Sequence, residues 1–414
     1  MRRQLEGSLA VADAVARCRP EVICAYPISP QTHIVEALSD LVRTRALEPC
    51  EYLMVESEFA AMSACIGASA AGARTYTATA SQGLLFMVEA VYNASGLGLP
   101  IVMTVANRAL GAPINIWNDH SDSMSQRDCG WIQLYASSNQ EAIDLHVQAY
   151  RIAEELSLPV MVCMDGFVLT HAVEGVDLVG AEQVDAFLPP FVPRQVLDPA
   201  DPVTIGAMVG PEAFSEVKIL AHAKQLEALE LIPRIAGAFE EAFGRPAGGL
   251  VRGYRIEDAT TIVVALGSVL GTIQEVVDEL RDRGEQVGAL EIACFRPWPA
   301  EAVRDALAGA ERIVVLERAF AVGAGGIVGQ NVRLALSGLP SPVYDVVAGL
   351  GGRPVTRASL HGLLADVLEG RLEPHKLTFL DLDWDIVRRE LQRSSGPSAE
   401  NILRDVGVVA SSPH

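Results

Sequence analysis

Four polar side chains follow short apolar segments that have the composition of buried strands. Ser29, Gln82 and Arg108 each lie just beyond the end of such a segment, and Glu58 lies in the first helical turn after another. Parallel α/β sheets bind their ligands at the carboxyl ends of the strands, so these side chains are expected along one edge. A hydroxyl, an amide, a guanidinium and a partly buried carboxylate in one place indicate a functional site rather than scattered surface residues.

Glu58 also has an explanation that needs no site, because an acid in the first turn of a helix interacts favourably with the helix dipole. The neighbouring sequence favours the functional interpretation. Residues 60–72 are mostly Ala, Gly and Ser, so a helix here is thin, and another backbone or a flat ligand can approach it closely.

The elements that must position these residues alternate along the first half of the chain. We predict strands near 22–26, 53–55, 75–80, 101–106, 131–136 and 159–164, and helices near 8–17, 31–43, 57–72, 83–96 and 140–156. This alternation is typical of an α/β fold with a doubly wound, mainly parallel sheet covered by helices on both faces.

The second half of the chain begins with a Pro-rich stretch, a helical segment near 212–243 and a Gly-rich connection, and then alternates again from Thr260. We predict four parts: a first domain over residues 1–187, a linker with a helical segment over 188–257, a second α/β domain over 258–356, and a C-terminal tail over 357–414 as a candidate partner contact. The glycines at 323–329 lack the spacing of a dinucleotide-binding loop and are predicted to form a tight connection.

Composition narrows the class of protein. Half of the 414 residues are hydrophobic and 20% are charged, which is typical of a well-packed globular chain. A formal charge of −20 argues against binding to nucleic acid or to an anionic membrane surface. With no apolar stretch suited to crossing a bilayer and no signal peptide, a cytoplasmic location is expected.

The candidate metal ligands lie at unsuitable spacings. The seven cysteines include no C-x-x-C pair, so neither an iron–sulfur cluster nor a disulfide framework is predicted, and the thiols are expected to be reduced. His120 lies beside Asp119 and Asp122 in a long polar loop over 111–127, where turn chemistry is the more common role of such residues. We therefore assign no metal ligand to this chain from its sequence.

Several ungapped segments resemble a known family. These are YPISPQT (26–32), VESEFAAMSACIGASAAGA (55–73), TATASQG (77–83) and NRALGAPINIWNDHSDSMSQRD (107–128). They resemble the α subunit of pyruvate:ferredoxin oxidoreductase and related 2-oxoacid:acceptor oxidoreductases, and the likeness extends to about Thr356. The resemblance implies a pyrimidine-type thiamine-diphosphate-binding domain, followed by an α/β domain like the C-terminal domain of transketolase.

The resemblance also implies roles for the residues at the strand ends. Glu58 would hydrogen-bond the pyrimidine N1′ of thiamine diphosphate and act in catalysis, with Gln82 as a further cofactor contact. Ser29 and Arg108 match the positions that hold the substrate carboxylate, Arg108 through a charge-assisted hydrogen bond. The implied reaction is oxidative decarboxylation of a 2-oxoacid, with coenzyme A as acyl acceptor and ferredoxin or another carrier as electron acceptor.

Parts of this reaction have no counterpart in the sequence. The chain has no G-D-G motif for the diphosphate and Mg²⁺, and no cysteine clusters for [4Fe-4S] centres. A β subunit carrying the Mg²⁺ half-site and iron–sulfur and γ-type subunits are therefore the expected partners in a hetero-oligomer. The isolated chain is expected to be inactive.

The substrate and the class of function have alternatives. Pyruvate is the default substrate, whereas Ser29 in place of Thr, and Phe59-Ala60 in place of His-Ser, would also suit an aromatic 2-oxoacid such as phenylglyoxylate, with Phe59 against its ring. The β subunit of a lipoate-linked 2-oxoacid dehydrogenase has the same domain plan but lacks the YPIS and NRA segments. A non-catalytic assembly subunit would keep the scaffold without needing Ser29, Glu58 and Arg108 together.

Overall fold

The computed structural model describes residues 2–394 and 396–408. Its strands are β1 (Arg2–Glu6), β2 (Val22–Ala25), β3 (Glu51–Met54), β4 (Thr75–Thr79), β5 (Ile101–Asn107), β6 (Ile132–Tyr135), β7 (Val160–Asp165), β8 (Val173–Asp177), β9 (Val251–Tyr254), β10 (Thr261–Ala265), β11 (Val287–Ile292), β12 (Cys294–Arg296), β13 (Arg312–Glu317), β14 (Val343–Val347) and β15 (Thr378–Phe379).

The helices alternate with these strands for most of the chain. They are α1 (Gly7–Arg17), α2 (Thr32–Arg43), α3 (Glu58–Ala70), α4 (Ser81–Phe86), α5 (Val88–Gly96), α6 (Ser121–Ser125), α7 (Asn139–Leu156), α8 (Ala181–Phe187), α9 (Phe214–Phe243), α10 (Val269–Arg281), α11 (Ala300–Leu307), α12 (Ile327–Ala335), α13 (Arg357–Leu368), α14 (Trp384–Gln392) and α15 (Ala399–Asp405), with a short 3₁₀ turn at Leu350–Gly352.

The first sheet has seven strands in the order β12-β6-β7-β5-β4-β2-β3. Its strands β2 to β7 pair in parallel, and β12 pairs antiparallel at one end. Strands β4, β5 and β7 are buried along their whole length, which explains their nearly unbroken apolar and Thr sequences. The six strands predicted here are present within two residues of their expected bounds.

Two features of the first half differ from the prediction. The single helix expected near 83–96 is divided into α4 and α5 at Met87, and the strand β1 pairs antiparallel with β8 as a separate two-stranded sheet. The edge pairing of β1 was not predicted because RRQLE has no apolar alternation by which a strand is recognised.

The second sheet has six strands in the order β15-β14-β13-β10-β11-β9. Strand β9 lies in the connection that we predicted as linking, so that part of the prediction is wrong: its backbone pairs antiparallel with β11. Part of the predicted tail also belongs to this unit, because Leu360, Leu364 and Val367 of α13 are buried in its core. Residues 395 and 409–414 of the tail lie outside the described residues.

The two α/β units share one hydrophobic core. A continuous cluster contains buried residues of both, such as Met62 and Trp131 from the first and Ile262 and Phe295 from the second. Strand β12 crosses from the second unit to the edge of the first sheet, where it pairs with β6. Among the described residues, no helix is long and apolar enough to cross a membrane.

Candidate functional site

Four neighbouring strands carry the residues that the sequence analysis selected. In the first sheet, β3, β2, β4 and β5 are consecutive and parallel, so they end at one side, which we call the carboxyl edge. Ser29 follows β2, Glu58 follows β3, Gln82 follows β4 and Arg108 follows β5. The topology thus brings the four residues to one edge, as the strand pattern predicted.

Glu58 is the first residue of α3, and its carboxylate packs against the start of α4. The residue is only 7% exposed. The Ser57 hydroxyl caps the helix by accepting the Ala60 N–H at 3.2 Å. A Cβ atom added to Gly83 would lie 2.7 Å from Glu58 Oε1, so the carboxylate occupies space that any larger residue would fill. Among the described residues, Glu58 has no hydrogen-bond or ion-pair partner, which makes it available to a group from outside the chain.

Arg108 is the cation of the carboxyl edge, and it is also 7% exposed. Its Nε donates to the Asn115 carbonyl and its first terminal nitrogen to the Ser29 carbonyl, each at 3.0 Å. These two bonds fix the guanidinium plane. The other terminal nitrogen has no partner among the described residues, and the guanidinium makes no ion pair with them. Burial lowers the pKa of Arg108 from its ordinary value, although the nearby charge of Asp122 opposes the shift.

Ser29 and Gln82 lie at the surface of the same edge, and both residues are exposed. The Ser29 hydroxyl has no hydrogen-bond partner among the described residues. The Gln82 side chain accepts a hydrogen bond from the Ser81 hydroxyl, and its Nε2 lies 2.8 Å from the position of a Cβ atom on Gly111. The two side chains are therefore accessible to a ligand at this edge.

Phe59 is 38% exposed, and its ring lies 6.5 Å from that of Phe86 between centroids. The structure therefore places this ring in an exposed aromatic pair. Its predicted contact with a substrate ring stays a prediction.

Asp122 is a residue of this site that the sequence analysis assigned to turn chemistry. It is completely buried in the first turn of α6. Its Oδ2 accepts the main-chain N–H groups of Ser81 at 2.9 Å and Arg108 at 3.0 Å, and its Oδ1 accepts the Asn107 side-chain amide at 2.8 Å. One carboxylate thus joins the residues that follow β4 and β5. Burial raises the pKa of Asp122 to about 6, although these donors oppose the shift.

The loop over 111–127 is held by the second α/β unit. Asp119 accepts the Gly351 N–H at 2.9 Å, and Asn115 donates to the Gly351 carbonyl at 3.2 Å. Because the Asn115 carbonyl also accepts from Arg108, this contact connects the second unit to the carboxyl edge. The loop therefore helps to position Arg108, which its sequence alone did not indicate.

A buried ionic cluster fixes the same junction. Asp165, at the end of β7, binds His120 Nε2 at 2.6 Å, the Arg318 guanidinium at 3.0 Å and the Ser268 N–H at 3.0 Å. Burial alone would raise the pKa of Asp165, but His120 and Arg318 hold it well below its usual value. His120, which could have suggested a metal ligand, thus binds Asp165 within the first unit, and Asp165 makes the contacts with Ser268 and Arg318 of the second unit.

The glycine-rich segment of the second unit does not leave a helix N-terminus open. The Glu317 carboxylate accepts the N–H groups of Ile327, Val328 and Gly329 at 2.7, 2.8 and 3.1 Å. Burial raises the pKa of Glu317 although these three donors oppose the shift. An anionic ligand would have to displace this carboxylate, so the segment is a connection and not a phosphate-binding loop.

Comparisons with known proteins agree with the fold and with the motifs. Residues 13–235 match the family described as "Pyruvate flavodoxin/ferredoxin oxidoreductase, thiamine diP-bdg", and residues 259–360 match "Pyruvate:ferredoxin oxidoreductase core domain II". Pyruvate synthase subunit PorA of Methanosarcina barkeri is 49% identical over 361 residues, covering 86% of this chain and 90% of that protein. Ketoisovalerate oxidoreductase subunit VorA of Pyrococcus horikoshii is 38% identical, covering 94% of this chain and 99% of that protein.

A solved structure shares the fold across both units. It is the 2-oxoglutarate:ferredoxin oxidoreductase of Magnetococcus marinus, with a TM-score of 0.68 at 18% sequence identity over 88% of this chain. The chain spans 65% of the length of that protein. The family and the fold class predicted from the sequence are both confirmed. The chain therefore belongs to the pyruvate flavodoxin/ferredoxin oxidoreductase family of enzymes.

Proposed function

We propose that this chain is the α subunit of a thiamine-diphosphate-dependent complex that oxidises pyruvate, with coenzyme A, to an acyl-CoA and CO₂ and reduces ferredoxin or a similar carrier. One observation carries the proposal: the carboxyl edge holds a buried carboxylate, Glu58, and a buried guanidinium, Arg108, and neither forms an ion pair among the described residues. A buried charge without a partner lowers the stability of the fold, so two such groups at one edge indicate that ligand groups of complementary chemistry bind there.

Glu58 suits the pyrimidine of the cofactor. A buried carboxylate with no partner can accept a hydrogen bond from a ring nitrogen and share its proton. Gly83 supports this fit, because a Cβ atom there would lie 2.7 Å from Glu58 Oε1 and would displace the carboxylate. When bound, thiamine diphosphate supplies the electron sink that loss of CO₂ from a 2-oxoacid requires.

Arg108 and Ser29 suit the carboxylate of the substrate. Two guanidinium hydrogen bonds, to the carbonyls of Asn115 and Ser29, hold Arg108 in place, and its other terminal nitrogen has no partner within the described part of the chain. A planar guanidinium fixed in this way binds a carboxylate with defined orientation. The exposed Ser29 hydroxyl can donate to the same anion. Both residues would orient the substrate, and neither would transfer a proton.

The rest of the machinery is assigned to partner subunits. We place the Mg²⁺ and diphosphate half-site in a β subunit, and the iron–sulfur centres in this or further subunits, since the sequence has no G-D-G motif and no cysteine cluster. Exposed apolar side chains on β3, α3, α4 and α5, the elements near Glu58, support a partner at this edge; they are Leu53, Met54, Phe59, Leu85, Phe86, Val88 and Tyr92. The seven cysteines are unpaired thiols, which accords with a cytoplasmic complex.

Pyruvate is proposed as substrate because it is named in the PorA relatives. The aromatic alternative receives no support: neither relative described above is named for an aromatic acid, and the Phe59 ring lies against Phe86 at the surface. A non-catalytic assembly subunit is disfavoured, because a scaffold has no need of unpaired buried charges such as Glu58 and Arg108.

Substrate comparison with the purified complex tests this proposal. The ratio kcat/KM would be measured for pyruvate, 2-oxobutyrate, ketoisovalerate, 2-oxoglutarate and phenylglyoxylate, each with coenzyme A and ferredoxin. Preference for pyruvate supports the proposal, and preference for ketoisovalerate or phenylglyoxylate contradicts the substrate assignment. The isolated chain should show no turnover and no iron. Turnover of any of these acids by the isolated chain would contradict the assignment of the Mg²⁺ half-site and the iron–sulfur centres to partner subunits.

A further inference from the structure

Three side chains that can bind metals meet on the first α/β unit, away from the residues discussed so far. Glu6 ends β1, His33 lies in the first turn of α2, and His171 follows the turn after β7. One ligand atom of each lies within 4.8 Å of the others. Glu6 and His171 are half-buried, and the His33 side chain is 45% exposed. Because the three come from distant parts of the chain, no sequence spacing could indicate the cluster.

The two imidazole rings are oriented by oxygen partners. His33 Nδ1 lies 2.6 Å from Glu6 Oε1, and His171 Nδ1 lies 2.7 Å from the Thr170 hydroxyl. The ring centroids of His33 and His171 are 4.8 Å apart at an interplanar angle of 37°. Nε2 of each ring has no hydrogen-bond partner among the described residues. His171 therefore has the arrangement typical of a metal-binding histidine, in which one ring nitrogen is held by an oxygen and the other is free. His33 Nδ1 and Glu6 Oε1 are both candidate ligand atoms, and an ion bound between them would replace their hydrogen bond.

We propose that Glu6, His33 and His171 form a binding site for one divalent transition-metal ion of the zinc class. Two imidazoles and a carboxylate, with water as the fourth ligand, are a tetrahedral zinc set, whereas Mg²⁺ and Ca²⁺ prefer oxygen ligands alone. Ligand atoms around such an ion lie roughly 3.4 Å apart, given metal–ligand distances of about 2.1 Å. The present ligand atoms lie within 4.8 Å of one another, so side-chain rotation would have to bring them to this spacing around the ion.

The position of the cluster indicates a structural role. His33 lies four residues after Ser29, whose carbonyl holds Arg108. The His171 ring packs on Phe167 at 4.7 Å, and Phe167 packs on Trp117 of the loop over 111–127 at 4.9 Å, both between centroids. An ion bound here would join β1, the start of α2 and the turn after β7. It would thereby restrain two segments that reach the carboxyl edge.

A simple hydrogen-bonded pair is the competing explanation, and the chain contains a matched example. His361 binds the Glu279 carboxylate, and the described residues offer no third metal-binding side chain beside them, so this site has the pair without the proposed third ligand. If the Glu6–His33 contact is only such a pair, both sites should respond to metals alike.

Metal titration of the full chain, without an affinity tag and after removal of metals by a chelator, tests the proposal. Co²⁺ would be followed by its visible absorption and Zn²⁺ by calorimetry. We expect one equivalent to bind, with the absorption of a tetrahedral Co²⁺ site. His33→Ala and His171→Ala should each weaken binding about 10-fold or more, whereas His361→Ala should leave it unchanged. Zn²⁺ should also raise the Tm of the wild-type chain but not of His171→Ala.

Two results would overturn the proposal. One is the lack of saturable binding at one equivalent by the wild-type chain. The other is binding that both histidine variants retain while their circular dichroism shows intact folding, since the metal would then be bound elsewhere, for example by a thiol such as Cys50. Cys50→Ser measures that background directly, and the proposed site predicts that it has no effect.

Discussion

Asp122 Oδ2 accepts the main-chain N–H of Arg108 at 3.0 Å, and it accepts the Ser81 N–H at 2.9 Å as well. The completely buried carboxylate therefore fixes the spacing between the residues that follow β4 and β5. Both this hydrogen bond and the preceding strand β5 hold Arg108 at the carboxyl edge. Asp122 acts through Arg108 and is a positioning residue in this account.

Replacing Asp122 by Asn should displace Arg108 while preserving side-chain shape. The new amide can turn its N–H groups toward backbone donors, which leaves buried donors unpaired at a cost of about 1–3 kcal/mol. We expect KM for pyruvate to rise about 10-fold with a smaller change in kcat. Steady-state kinetics of the assembled complex measure this, with the exposed Asp128→Asn as control. An unchanged KM in Asp122→Asn would contradict the positioning role.

The same carboxylate predicts a pH dependence of activity. Burial raises the pKa of Asp122 to about 6, and only the ionised form can accept all of its N–H donors. As pH falls through about 6, protonation removes an acceptor, so kcat/KM should decline on the acid side with an apparent pKa near 6. Asp122→Asn should lack this decline. If Asp122→Asn shows the same decline of kcat/KM at low pH, the titration of another group causes that decline.

Gly83 tests the space beside Glu58. A methyl group there would lie 2.6 Å from Thr79 Oγ1 and 2.7 Å from Glu58 Oε1, so Gly83→Ala must move the carboxylate. Turnover should fall about 100-fold, as expected for misplacement of a reacting group by about 1 Å. Gly67→Ala in α3 is the matched control, because its methyl group would meet nothing within 4 Å. Equal activity of the two variants would show that catalysis does not depend on the position in which Gly83 leaves the Glu58 carboxylate.

Arg108→Lys tests the fixed guanidinium. A lysine keeps the charge but loses the planar group that bonds Asn115 and Ser29 at once. KM for pyruvate should rise about 10- to 100-fold, since hydrogen bonds to charged groups contribute about 1.5–3 kcal/mol. The exposed Arg43→Lys serves as control. A normal KM would remove Arg108 from substrate binding.

Glu291 predicts how stability depends on pH. Arg252 forms ion pairs with both Glu291 in the second unit and Glu141 in the first. Burial raises the pKa of Glu291 to about 7, and the negative charge of Glu141 adds to this shift. Because the folded-state pKa exceeds the unfolded value, the stabilising contribution is complete below about pH 4.5 and is lost as pH rises through about 7. The Tm should therefore decline over this interval by about 2–5 °C.

Glu291→Gln removes the titrating group and should flatten that decline. The exposed Glu311→Gln, which titrates at the surface, should leave the decline as in the wild type. Thermal unfolding at intervals from pH 5 to pH 8 measures both. A Glu291→Gln variant with the wild-type decline would show that another group controls it.

The sequence predicted the local elements well and the contacts between distant residues poorly. Buried parallel strands and the small-residue helix α3 follow from local composition, so the location of Ser29, Glu58, Gln82 and Arg108 at one edge was accessible from pattern alone, whereas their order along it was not. Asp122 was assigned to turn chemistry, because nothing local shows that its acceptors meet the ends of two strands. Strand β12 and the Asp165 cluster were missed for the same reason: each joins residues more than a hundred positions apart.

The central claim is that Glu58 is the acid–base group of this subunit, and Glu58→Gln in the assembled complex tests it most directly. The matched control is Glu56→Gln, since Glu56 stands two residues earlier and is exposed. We expect turnover of pyruvate to fall about 100-fold or more in Glu58→Gln, with subunit assembly intact, and to stay normal in Glu56→Gln. Near-normal turnover by a fully assembled Glu58→Gln complex would contradict the account.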